Sequence, residues 1–104
     1  MVQYEPMSML DTIRAKRDEI YALARQHKAE KLWVFGSVAR KEERTDSDVD
    51  FLVEFKDGAS LLDQGGMSYH LGKALGRSVD VVDYDTFRRE PYFSYAVKKD
   101  LLPV

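Results

Sequence analysis

A short apolar run, Lys31 to Phe35, stops at the dipeptide Gly36-Ser37, and a second run of alternating polarity extends from Asp48 to Phe55. The first run is rich in β-branched and aromatic residues, as is typical of a buried strand. Successive side chains of a strand point to opposite sides, so one face of the second run is apolar and the other carries acids. The pattern predicts two strands, one ending at a glycine turn and the other beginning with two carboxylates.

Helical periodicity accounts for most of the remaining chain. Apolar residues recur at helical spacing from Leu10 to His27, with Ser8 as the expected N-cap. We expect Gly76 to end a second long helix and Asp85 to cap the last one. The predicted elements are helices over residues 10–27, 38–43, 60–75 and 92–99 and strands over residues 31–35, 48–55 and 78–82. The order α-β-α-β-α-β-α predicts an α/β (α+β) fold, a small sheet packed with helices.

Length and composition bound the class of protein. The 104 residues suffice for one small domain, which we expect to span residues 1–104 with a partly disordered tail over residues 1–7. The chain has no cysteine, which excludes disulfides and thiolate metal sites. No apolar run approaches the roughly 20 residues of a membrane span, and no basic-then-apolar leader is present. We therefore expect a cytoplasmic protein that does not contact a membrane.

The charge balance bears on the molecules that the chain could act upon. The formal net charge is -2, and the basic residues are scattered along the sequence. Nucleic-acid binders usually carry a basic face, because neutralising phosphates supplies much of their affinity. The composition thus argues against nucleic acid as the acceptor in a reaction.

Asp48 and Asp50 are the first candidate site residues. They lie one residue apart at the start of a strand and therefore on the same face. Mg²⁺ prefers oxygen ligands at about 2.0–2.1 Å and usually takes one or two carboxylates together with phosphate oxygens and water. A carboxylate could also bridge two ions about 3.5–4 Å apart. The strand start therefore predicts a magnesium site.

Gly36 and Ser37 are candidates for binding phosphate. A glycine lets a phosphate approach the backbone closely, and a helix start offers N–H donors to which Ser37 adds a hydroxyl. Arg40 follows one turn later, where it could contact phosphate or pair with Glu43 or an aspartate. The sequence leaves these two roles for Arg40 equally open.

Asp80 is an acid within an otherwise apolar predicted strand. A charge in such a place is costly unless it is paired or bound to a metal. If this strand lies beside the strand of Asp48 and Asp50, Asp80 completes a cluster of three carboxylates. Its expected role is general base for an attacking hydroxyl, or ligand of the metal that activates it. Asp83 is the rival candidate, but it lies at the strand exit.

Other conspicuous side chains carry weaker predictions. His27 and His70 stand alone in the sequence, which favours surface or helix-end roles over metal ligation. We expect Trp33 in the core. The aromatic residues near the C-terminus could belong to the core or form a partner-binding face, with the core favoured; they are Tyr92, Phe93 and Tyr95.

The motif Gly36-Ser37-x-Ala39-Arg40, a polar loop, and Ser47-Asp48-x-Asp50 resemble the signature of the DNA polymerase beta-like nucleotidyltransferase superfamily. The small size and the Val-Asp-Val-Val strand resemble its minimal nucleotidyltransferases, the MntA-type antitoxin partners of HEPN-domain toxins. The resemblance covers residues 32–83 well, and its motifs are specific in combination.

The resemblance implies a mixed sheet packed with helices and a set of functional residues. Magnesium, expected as two ions, would be bound by Asp48, Asp50 and Asp80, and these residues would be catalytic. The nucleotide would be bound by Gly36, Ser37, Arg40 and Ser47. The implied reaction is Mg²⁺-dependent transfer of AMP from ATP to a tyrosine hydroxyl of a cognate HEPN-domain toxin.

Two other functions remain open on the sequence alone. The chain could be an antitoxin that neutralises its toxin by binding, with catalysis incidental. It could also nucleotidylate a hydroxyl of a small molecule, which the lack of an acceptor domain disfavours. The sequence does not indicate the base of the nucleotide.

Overall fold

A computed structural model describes residues 8–104, so the predicted tail over residues 1–7 lies outside the described part. The elements in chain order are α1 (Met9–Ala15), α2 (Arg17–Gln26), β1 (Ala29–Phe35), α3 (Gly36–Ala39), β2 (Val49–Phe55), α4 (Leu61–Leu75), β3 (Val79–Asp83), α5 (Tyr84–Arg89), α6 (Pro91–Lys98) and β4 (Leu102–Pro103). None of the helices within residues 8–104 is both long and apolar enough to span a bilayer.

The four strands form one mixed sheet in the order β3-β2-β1-β4. β1 pairs antiparallel with β2 and with β4, while β2 and β3 run parallel. The mixed sheet packed with helices is therefore confirmed. β4 was not predicted from the sequence, because its pairing involves only Leu102 and Pro103, which are too few residues to show a period of two.

The two faces of the sheet bury separate apolar clusters. The larger cluster joins one face to the long helices and includes Ile13, Ile20, Phe51, Met67 and Leu71. The smaller one packs α5 and α6 on the opposite face around Phe35, Leu52, Phe87 and Val97. Leu52 is fully buried there, whereas Asp50, two residues earlier on the same face, is half-buried. α5 and α6 therefore cover this face of the sheet less completely toward the start of β2.

The first predicted helix is two helices separated at Lys16. The prediction of Ser8 as N-cap is confirmed, because its hydroxyl accepts from the backbone N–H of Asp11 in a capping box. Lys16 leaves helical geometry and its Nζ donates to the carbonyl of Ala74 at 2.7 Å. That contact places a positive charge at the C-terminus of α4, where the helix dipole favours it.

The short helix after β1 begins earlier and ends earlier than predicted. It spans Gly36–Ala39 rather than residues 38–43. Gly36 has a φ of 75°, which allows the chain to turn directly out of β1 into the helix. Lys41 has a φ of 57°, and this left-handed residue prevents the helix from continuing.

Gly76 ends α4 in the left-handed conformation, as predicted. His27, at the C-cap of α2, stacks on His70 of α4 with ring centroids 5.4 Å apart. The helix-end role expected for His27 is thus confirmed, and its ring contributes to the packing of α2 against α4.

The C-terminal helices differ from the prediction in two respects. Asp83, not Asp85, is the N-cap of α5, and its side chain accepts from the backbone N–H of Asp85 at 3.2 Å. Tyr92 and Tyr95 are 93% and 72% exposed, so their favoured placement in the core is wrong. Phe93 instead faces inward and packs edge-on against Phe35 and Phe87.

Candidate active site

The site is built where β1 ends and β2 begins. These antiparallel strands place Phe35 opposite Asp50, so the residue after Phe35 passes directly over the aspartate. A Cβ added to Gly36 would lie 2.6 Å from Oδ2 of Asp50, well inside van der Waals contact. Position 36 must therefore be glycine both for its positive φ and for the space that the Asp50 carboxylate occupies.

The start of α3 supplies hydrogen-bond donors next to this carboxylate. The first intrahelical bond runs from the N–H of Arg40 to the carbonyl of Gly36. A helix leaves its first N–H groups without an intrahelical acceptor, so the backbone of Ser37 and Val38 can donate to an anion. Among residues 8–104, no group makes a hydrogen bond to the Ser37 hydroxyl.

Asp80 lies directly beside Asp50. The parallel ladder of β2 and β3 pairs Asp50 with Asp80, and paired residues of neighbouring strands present their side chains on the same face. Asp48 precedes β2 and is two residues from Asp50, which puts it on that face as well. The third predicted strand therefore lies beside the second, as the predicted cluster of three carboxylates requires.

The three acids interact electrostatically. The pKa of the Asp50 carboxyl is raised to about 6, chiefly by burial and then by the negative charges of Asp80 and Asp48, while Arg40 acts in the opposite direction. Like charges disfavour ionisation of a shared site unless a cation compensates them. The cluster thus favours a bound positive charge.

Carboxylates are the type of ligand that suits a hard divalent cation such as Mg²⁺. Carboxylate oxygens are the ligands that Mg²⁺ prefers, and the lack of a side chain at Gly36 leaves room for the Asp50 carboxylate. Within the described residues, no three His, Cys, Asp or Glu side chains are gathered closely enough to hold a metal ion. The metal roles of Asp48, Asp50 and Asp80 therefore remain predictions.

Arg40 forms ion pairs in the structure. Its Nε lies 3.0 Å from Glu42, and its Nη1 lies 2.6 Å from Asp100, which follows α6. Glu43, the partner considered from the sequence, accepts instead from the backbone N–H of Met9. Arg40 thus ties α3 to the C-terminal segment, and its contact with phosphate remains a prediction.

Ser47 is engaged within its own loop. Its hydroxyl accepts from the backbone N–H of Arg44 at 2.8 Å, and its carbonyl accepts from the side chain of Arg77. Its role in binding the nucleotide also remains a prediction. Arg77 was not singled out from the sequence, because the contact joins residues 30 positions apart and leaves no local pattern.

Two clefts lie away from Asp48, Asp50 and Asp80. One, of about 460 Å³, opens at the other end of β2 between Phe55, Ser60 and Asp83. Another lies beside Gly72 and Arg77. Neither includes the acids of the candidate site, which lie at the start of the inner strand β2 and on the edge strand β3.

The sequence of residues 19–103 matches the nucleotidyltransferase domain family. A relative in Methanocaldococcus jannaschii, named as a candidate protein adenylyltransferase, is 41% identical over 65% of this chain and 73% of its own length.

Solved structures share the fold. A candidate minimal nucleotidyltransferase is 38% identical, with a TM-score of 0.77 over 97% of this chain and all of the other. A chain in the structure of a tri-AMPylated HEPN toxin of Shewanella oneidensis with MNT antitoxin has a TM-score of 0.63 over 86% of this chain and 69% of its own. At 21% identity, this second likeness shows the fold alone.

Proposed function

The chain belongs to the nucleotidyltransferase domain family, and we propose that it transfers AMP from ATP to a tyrosine hydroxyl of a HEPN-domain toxin, acting as the antitoxin. The observation that carries the proposal is the placement of Asp50 between the Gly36 backbone and Asp80. Backbone N–H groups that could bind phosphate thereby lie beside acidic groups that could hold a cation. Transfer from a nucleoside triphosphate requires both.

Each part of the site has a role in the proposed reaction. The backbone of Gly36 and Ser37 and the Ser37 hydroxyl bind the triphosphate. Asp48, Asp50 and Asp80 would hold Mg²⁺. When bound, this ion would neutralise the negative charge that develops on the phosphates.

The bond changes follow from the chemistry of the acceptor. The tyrosine oxygen forms a bond to the α-phosphorus of ATP while the bond from that phosphorus to the bridging oxygen breaks, and pyrophosphate leaves. The hydroxyl proton passes to a carboxylate, for which Asp80 is the candidate, because it is exposed at the edge where an acceptor can reach it. The products are an AMP-tyrosine phosphodiester, pyrophosphate and one proton.

The relatives support a protein as the acceptor. The Methanocaldococcus jannaschii relative carries the name of a protein adenylyltransferase, and the structural neighbour contains an AMPylated HEPN toxin. The acids lie in neither of the two clefts described above, and Asp80 is exposed on the edge strand β3. An exposed position suits an acceptor that arrives on another protein.

Labelled ATP distinguishes this reaction from phosphate transfer. With the toxin and Mg²⁺ present, label on the α-phosphate of ATP should move to the toxin, whereas label on the γ-phosphate should not. Transfer of the γ-label would show a kinase reaction and contradict the proposal.

Neutralisation by binding alone is the second candidate, and the exposed tyrosines favour it. Tyr92 and Tyr95, together with Pro91, line a small apolar hollow on the outside of α6. Exposed aromatic residues are enriched where proteins bind one another. If binding suffices, a variant unable to transfer AMP should still suppress the toxin, and Tyr92→Ser with Tyr95→Ser should abolish suppression.

A further inference from the structure

The loop that leads into Asp48 is held by one side chain from another part of the chain. Nη2 of Arg77 donates to the carbonyl of Arg44 at 2.7 Å and also to the carbonyl of Ser47. The same loop residues are joined to each other, since the N–H of Arg44 donates to the Ser47 hydroxyl. Arg77 therefore clamps a closed turn immediately before Asp48.

The backbone of Arg77 is itself fixed. Gly76 reverses the chain with a φ of 67°, and the N–H of Arg77 then donates to the carbonyl of Gly72 at 3.1 Å. A Cβ at Gly72 would lie 3.0 Å from the carbonyl oxygen of Arg77, so the two segments are in close contact. The backbone from which the guanidinium extends is therefore held in place by these contacts.

Asp48 is bracketed by contacts to the segment that begins β3. On one side the carbonyl of Ser47 is held by Arg77, and on the other the N–H of Val49 donates to the carbonyl of Ser78 at 2.9 Å. Asp80 follows on that same segment. The contacts of Arg77 and Ser78 thus set the position of Asp48 relative to Asp80.

We propose that Arg77 is a positioning residue that holds Asp48 where it can bind a divalent cation together with Asp50 and Asp80. This inference rests on the proposed function, because it takes Asp48 as a metal ligand. Arginine suits the task because its guanidinium is always charged and presents several donors in a fixed plane. A lysine would keep the charge but lose the planar fork.

Binding of Mn²⁺, measured by electron paramagnetic resonance in the presence of a non-hydrolysable ATP analogue, tests the proposal without relying on activity. Arg77→Met should weaken Mn²⁺ binding by about tenfold or more, as loss of a group supporting a metal ligand typically does. Arg77→Lys should restore part of the affinity. Arg89→Met, which removes an exposed arginine in the last turn of α5, should bind Mn²⁺ like the wild type.

A second measurement separates positioning from two other roles of Arg77. The affinity of each variant for the ATP analogue is measured in EDTA, and its unfolding midpoint is recorded. Positioning predicts an unchanged metal-free affinity in Arg77→Met. An equal loss of affinity for the ATP analogue with and without metal would show that Arg77 contacts phosphate directly. Wild-type Mn²⁺ affinity in both Arg77→Met and Arg77→Lys would show that its role is structural. Either result overturns the inference.

The proposed function fails in a different way. If the wild type binds no Mn²⁺ with the ATP analogue, the metal site itself is absent and both proposals fall. If the wild type binds Mn²⁺ and transfers AMP while Arg77→Met binds Mn²⁺ equally well, only the inference about Arg77 is overturned.

Discussion

Gly36 and Asp50 are in such close contact that a Cβ on the glycine would lie 2.6 Å from the carboxylate oxygen Oδ2. The contact joins the end of β1 to the start of β2. It sets the distance between the N–H groups predicted to bind phosphate and the carboxylates predicted to bind metal. Any side chain at position 36 must displace one of these two groups.

Gly36→Ala should therefore impair transfer strongly. The alanine would be strained in the left-handed region by roughly 1–2 kcal/mol, and it would displace Asp50. A displacement of about 1 Å in a reacting group can cost on the order of 100-fold in rate. Steady-state kinetics should show this loss in kcat/KM for ATP, together with a lower unfolding midpoint.

Gly65→Ala is the matched control for that change. Gly65 lies within α4, and nothing stands within 4 Å of an added Cβ. The alanine should stabilise the helix by about 0.5–1 kcal/mol and leave transfer unchanged. If Gly36→Ala retained wild-type kcat/KM, the close contact would have no functional consequence.

Asp50 should make the metal-free protein less stable as pH rises. Its pKa is raised from 3.8 to about 6 in the folded state, chiefly by burial and then by Asp80 and Asp48. The folded state therefore binds the proton more tightly than the unfolded state. The resulting stabilisation is full below about pH 4 and is lost as pH rises through about 6.

Asp50→Asn removes this dependence. In EDTA the variant should match the wild type near pH 4 and exceed it near pH 8 by roughly 1 kcal/mol, a value reduced for solvent screening because Asp50 is half-buried. Urea denaturation measures the difference. The control Asp57→Asn removes an exposed carboxylate beyond the far end of β2 and should not reproduce this trend. A constant difference between Asp50→Asn and wild type across this range would contradict the prediction.

Arg40 should act mainly through its ion pairs. Its side chain already contacts Glu42 and Asp100, so Arg40→Gln should slightly lower the free energy of unfolding, as expected for exposed pairs. Asp100→Asn should give a similar or smaller loss. Neither variant should change KM for ATP by more than about twofold. A large rise in KM in Arg40→Gln alone would instead support the predicted contact with phosphate.

The strands that carry the acids could be predicted from the sequence. Alternation in β2 identified its two faces, and the isolated acid in β3 was expected to join the other acids if its strand lay beside β2, a condition that the register meets. These features depend on the alternation of polar and apolar residues within a strand and on the pairing of neighbouring strands. A single sequence is informative about both.

Features that depend on long side chains or on very short elements could not be predicted in this way. Lys16 interrupts the first helix, and its side chain reaches a carbonyl of α4 far along the chain. The contacts of Arg77 with Ser47 are of the same kind. Asp83 and Asp85 are both acceptable caps by residue type, and only the backbone geometry at the end of β3 selects Asp83.

The intact mass of the proposed HEPN-domain toxin partner, measured after incubation with ATP, Mg²⁺ and this protein, shows whether AMP is transferred to that toxin. The wild type should add whole AMP units to the toxin, and Asp48→Asn combined with Asp50→Asn should add none while keeping a native circular dichroism spectrum. An adduct that forms equally well with the folded double variant would contradict the assignment of these aspartates to AMP transfer.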